Sequence, residues 1–290
     1  MKKQISAIFT RGLGWMLAML LLLSGLPVAA LYELPEDKTV SGGGILLASL
    51  GSSQAEDVIL FERDADARIA PSTLLRIMTT VVALEIVEEE QLDIDQETGT
   101  YTSTLFYTFV GNTGLITANM ELGEEWTIRD LINMTSIQTA ADAAVTLAQA
   151  LAGSQQAFVE RMNQKALELG CTNTHFVNVM GLDDPNQYTS ARDMYIITRY
   201  AMDNPKFLSI VQQASYTARP LSKRDSVTYP NSNGMQRSNS GDTYYKPMVF
   251  GRTGVSDTGR NIVSVASDSG YDYMVIILDS PLKDAEGKNT

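Results

Sequence analysis

The chain has 290 residues, 44% of them hydrophobic, and a formal net charge of −12. That length can bury a sizeable core as one large or two modest domains, and the acidic balance argues against nucleic acid and anionic lipid headgroups as partners. One cysteine, Cys171, and one histidine, His175, exclude an internal disulfide framework, a histidine-based triad and a multi-histidine metal site, so no metal or cofactor is expected.

Residues 1–30 read as a secretory signal. Lys2, Lys3 and Arg11 precede the apolar run Trp15–Leu23, then Gly25 and Pro27, then the small residues Val28-Ala29-Ala30. An uncleaved anchor is the alternative reading. Cleavage would remove three positive charges and no negative ones, taking −12 to −15. Residues 31–290 are then expected to be the exported domain. Gly44–Leu50 and Asp57–Glu62 are short β-rich runs joined by Gly51-Ser52-Ser53-Gln54, a hairpin pattern. Pro71–Glu90 reads as a helix with Ser72 or Thr73 as its cap, and with Leu74, Ile77, Met78, Val81 and Leu84 at helical spacing. A helix this apolar must be buried. Its acidic end, Glu88-Glu89-Glu90, reads as solvated.

Residues 100–125 are polar with scattered aromatics and take no assignment. Thr127 caps a helix carrying Leu131, Ile132 and Met134; further helices cover Ala140–Leu151, stopping at Gly153, and Gln155–Leu169, stopping at Gly170. Ser190 or Thr189 caps another through Met202. Tyr216–Tyr245 is turn-rich, and three strands follow: Pro247–Arg252, Asn261–Ser267 and Tyr271–Leu278, the last two joined across Asp268-Ser269-Gly270. Strands at both ends and helices between give an α/β chain of the α+β kind. One antiparallel sheet is built from both ends and flanked by helices, with a helical lobe inserted at about residues 100–215. The sequence stops at Thr290 in a polar stretch soon after a strand, which leaves room for a further C-terminal segment. Membrane contact is expected only through the leader or such a segment.

Three stretches carry chemistry. Thr73 and Arg76 put a hydroxyl and a cation one turn apart at the start of the apolar helix. Thr139-Ala140-Ala141-Asp142-Ala143-Ala144 opens a second helix. Gly251-Arg252-Thr253-Gly254 lies on a strand, ahead of Asp257. With Phe176-Val177-Asn178 and Gly181 to Tyr188 as support, their order and spacing resemble the exported serine D-alanyl-D-alanine carboxypeptidases, the low-molecular-mass penicillin-binding proteins. The resemblance spans roughly residues 40–283 and implies a β-lactamase/transpeptidase-like fold. That family works through S-x-x-K, S-x-N and K-T-G. Its first serine attacks the carbonyl of a terminal D-Ala-D-Ala bond, and the lysine takes the serine's proton. The second serine and the asparagine complete the relay, and K-T-G holds the substrate carboxylate.

The resemblance places Thr73 at the nucleophile, Arg76 at the base, Thr139 at the second serine and Ala141 at the asparagine, with Arg252, Thr253 and Gly254 as K-T-G. Arg252 keeps a charge that can pair with a carboxylate. Thr73 and Thr139 keep hydroxyls but add a methyl group that restricts χ1. Ala141 loses both donor and acceptor. Arg76 is the decisive change, because a guanidinium does not give up its proton near neutral pH. Loss of the base from such a site costs on the order of 10⁴–10⁶ in rate. The expected function is a catalytically silent homologue that binds peptidoglycan stem peptides or a cell-wall enzyme. The alternative is an altered peptidase with Thr73 as nucleophile. Ser72 reads as a cap and Ser136 as ordinary helix surface or loop. Cys171 reads as a small buried apolar residue, His175 as structural, and Asp183-Asp184 as a turn before Pro185.

Overall fold

The computed structural model describes residues 40–107, 114–222 and 224–283, so the expected signal sequence lies outside the described residues. Nine strands and seven α-helices follow one another along the described chain. The strands are β1 (Gly44–Leu50), β2 (Val58–Arg63), β3 (Thr98–Thr100), β4 (Glu125–Thr127), β5 (Ser215–Ala218), β6 (Val227–Pro230), β7 (Met248–Val255), β8 (Arg260–Asp268) and β9 (Tyr271–Ser280). The helices are α1 (Arg76–Glu89), α2 (Ser103–Tyr107), α3 (Ile128–Asn133), α4 (Ala141–Ala152), α5 (Gln155–Glu168), α6 (Ala191–Met202) and α7 (Pro205–Val211).

The main sheet is antiparallel, in the order β2-β1-β9-β8-β7. Strands from the two ends of the described residues therefore meet in its middle, with Ile45 opposite Ile277. β8 and β9 form a hairpin whose two turn residues, Ser269 and Gly270, both have positive φ (54° and 85°), matching the strand twist. Leu46, Ala48, Val263, Val265, Met274, Ile276 and Leu278 alternate along their strands and are buried, and α6 packs on β1 and β9.

α1 is buried along nearly its whole length, from Arg76 to Val87, rather than on one face alone. A helix apolar all round belongs at the centre of a domain, and α1 contacts α4, α5, α6 and α7. The expected caps hold at Thr127 and Ser190, whose side chains accept the amides of Asp130 and Asp193, and Ser154 caps α5 in the same way through the Ala157 amide. The expected cap of α1 does not: the chain enters it through a 3₁₀ turn, Ser72–Leu75, and neither hydroxyl caps it. Among the described residues no helix is long and apolar enough to cross a membrane.

Candidate functional site

The 3₁₀ turn ahead of α1 packs on β7 and β8. Ser72 Oγ donates to the Val255 carbonyl at 2.7 Å, and Thr73 Oγ1 donates to the Thr253 carbonyl at 2.8 Å. The two hydroxyls thus fasten the turn to β7. Gly254 permits the approach, since a Cβ there would lie 3.0 Å from Thr73 Oγ1 and 3.1 Å from Ser72 Oγ. From the other side the 178–182 loop closes in. A Cβ on Gly181, at φ +77°, would lie 2.7 Å from the Ser72 carbonyl oxygen. Asn178 shapes that loop by accepting the amides of Met180, Gly181 and Leu182, and Gln187 braces it through Val177, Asn178 and Leu182.

Arg76 is 1% exposed. Its Nη1 donates to the Ala140 carbonyl and its Nη2 to the Met180 carbonyl, both at 2.8 Å. Neither bond reaches Thr73, although the two residues are one turn apart. Burial first, then the charge of Arg252, push the guanidinium down to about 9, against a smaller upward pull from Asp142. It remains a cation at neutral pH. Arg252, 2% exposed, is pushed down to about 10 by burial. Its Nη1 reaches Ser232 Oγ at 3.4 Å and its head group lies over the Phe250 ring. Arg252 Nε and Arg76 Nε have no hydrogen-bond partner. No ion pair of the described residues includes either arginine.

Thr139 ends a π-helical turn, Met134–Gln138, with φ 59° and ψ 36°. That left-handed conformation is strained for a β-branched residue, and Thr139 Oγ1 donates only to the Gln138 carbonyl. Ala141 begins α4, is fully buried, and donates its amide to the Ile116 carbonyl. Asp142 accepts the amides of Ala118, Met120 and Ala143; burial pushes its carboxyl up, and those amides pull it back. Ser136 is not helix surface: it is fully buried and shares a 2.7 Å hydrogen bond with Thr80. Cys171 is buried, and His175 Nδ1 bonds the Asn186 carbonyl at 2.8 Å. Asp184 makes the expected turn by accepting the Asn186 amide, but Asp183 reaches further and accepts the Asp257 amide at 2.7 Å.

Thr73, Thr139, Thr253 and Gly254 line one cleft of about 650 Å³, together with Met180, Gly181, Asp183 and Ser232. Arg76, Ala141 and Arg252 lie behind its walls. The two arginines reach it through the Met180 carbonyl and Ser232 Oγ. Two smaller hollows, of about 380 and 340 Å³, sit against α1 and α7 and contain none of these residues. The 178–182 loop was visible in the sequence only as Asn178 ahead of Gly181. Its work, presenting one carbonyl to Arg76 and one backbone face to Ser72, depends on residues a hundred positions away. Among the described residues no group of His, Cys, Asp and Glu could hold a metal ion.

The family model of the D-alanyl-D-alanine carboxypeptidases matches residues 52–281. The chain belongs to that family. It is 30% identical over 141 residues to the D-alanyl-D-alanine carboxypeptidase DacF of Bacillus subtilis, covering 49% of this chain and 35% of the relative. DacC of Escherichia coli is 28% identical over 228 residues, or 77% of this chain and 54% of the relative. The chain thus spans about half or less of the length of these two relatives. The crystal structure of a D-alanyl-D-alanine carboxypeptidase from Mycobacterium tuberculosis superposes with a TM-score of 0.74 at 25% identity, over 91% of this chain and 90% of that one. The helix-flanked antiparallel sheet is therefore the penicillin-binding-protein fold.

Proposed function

We propose that this protein is an exported, catalytically silent member of its family whose cleft binds peptidoglycan stem peptides. Thr253 would meet the peptide's carboxylate in the cleft, with the charge of Arg252 behind it, and a cell-wall enzyme would be a further partner. One observation carries the reading: the residue at the base position is a buried cation with both Nη groups committed to backbone carbonyls. It has no lone pair to accept a proton. The Thr73 hydroxyl is turned to the Thr253 carbonyl instead, and Ala141 offers no amide. The roles of Thr73, Arg76, Thr139, Ala141, Arg252, Thr253 and Gly254 are carried over from the family by position.

The test is a labelled penicillin followed by intact-mass measurement. No acyl adduct is expected at high β-lactam concentration, while calorimetry detects a peptide ending in D-Ala-D-Ala. A stable adduct on Thr73, with release of D-alanine from such a peptide, would instead establish the altered peptidase. That second reading is favoured only by the retained hydroxyl.

A further inference from the structure

Arg76 and Arg252 come from different elements, α1 and β7, and converge beneath one cleft. Their charges oppose each other closely enough that Arg252 lowers the proton affinity of Arg76. Asp142 is the carboxylate whose charge acts on Arg76, and its oxygens already accept three backbone amides. Each arginine leaves its Nε without a partner. Two buried cations with one nearby carboxylate, bonded to neither of them, are costly unless something supplies further negative charge. The acidic residues lining the cleft, Asp183 and Asp257, are joined to each other, Asp183 accepting the Asp257 amide, and neither forms an ion pair with an arginine among the described residues; Asp257 is five residues past Arg252, beyond the end of β7.

The position of the extra cation matters. In an enzyme that cleaves an amide, the group beneath the scissile carbonyl must be a base that can be neutral. Here it is a cation at neutral pH, one turn below Thr73. A neutral amide gains little from it, whereas a carboxylate of the same planar shape gains an attraction that acts across the cleft wall. A carboxylate at that depth is what a stem peptide has after its terminal D-alanine is gone. Hydrolysis of the D-Ala-D-Ala bond adds water, releases D-alanine and leaves a new terminal carboxylate on the remaining D-alanine.

We propose that the cleft prefers trimmed stem peptides, ending in a single D-alanine, with the new carboxylate seated at the depth of Thr73 over Arg76 and Arg252. The inference rests on the peptide-binding reading above and fixes its ligand. It places the protein after a carboxypeptidase reaction carried out elsewhere.

Calorimetry on the purified chain tests it with Ac-Lys-D-Ala-D-Ala, Ac-Lys-D-Ala and the C-terminal amide of Ac-Lys-D-Ala. The expected order has the trimmed acid binding about tenfold or more tighter than the untrimmed peptide, as one added charge contact can supply. The amide should lose that advantage. Arg76→Gln should erase the difference by weakening the trimmed acid, while Arg76→Lys, which keeps the charge, should retain most of it. Equal or tighter binding of the untrimmed peptide, or an amide as good as the acid, overturns the preference and leaves peptide binding standing. Binding of none of the three overturns both readings. The amide comparison needs no variant, so poor folding of Arg76→Gln cannot rescue the idea.

Discussion

Thr139 holds a conformation that asparagine adopts more readily, and its hydroxyl reaches no farther than the preceding carbonyl. Thr139→Asn should raise unfolding free energy by about 1 kcal/mol, read from denaturant titration. Arg76 has a different lesson. Arg76→Lys would install an amine, yet Thr73 would still be bonded to Thr253 and Ala141 would still lack its amide. No release of D-alanine is expected from that variant alone, and turnover at ordinary enzyme rates would show that arginine was the whole defect. The residues aligned with the family's motif positions were read off the sequence by order and spacing. The destinations of their hydrogen bonds were not. Ser72 and Thr73 looked like helix caps because hydroxyls there usually are; tertiary contact with β7 claimed both instead.

The helix starts that proved easiest to foresee are those where a hydroxyl meets an amide three residues on, at Thr127 and Ser190. Such caps are local, as is the β8–β9 turn. The β5–β6 pair went unseen because its strands have four residues each, separated by a polar stretch, and their partners give them their shape. Pro205 opens α7 in the first turn, where proline suits a helix. The 178–182 loop is the connection on which the site depends. Gly181→Ala would force a Cβ to 2.7 Å from the Ser72 carbonyl at a positive φ. It should cost more than about 2 kcal/mol in thermal or denaturant unfolding. Peptide affinity should fall with it, because that loop also delivers the Met180 carbonyl to Arg76.

Across the whole molecule, a main antiparallel sheet drawn from both ends of the sequence was legible before any coordinates, and the order β2-β1-β9-β8-β7 realises it. The register and the β2 and β7 edges were not. β9 is bonded on both sides, to β1 and to β8. Deleting residues 271–283 should therefore abolish the cooperative unfolding transition rather than lower its midpoint, as seen by circular dichroism. The middle of the sheet is thus the part of the fold that a ribosome makes last. Until β9 emerges, β1 has waited more than two hundred residues for its neighbour. The growing chain cannot close this sheet around its centre until residues 271–280 have been made.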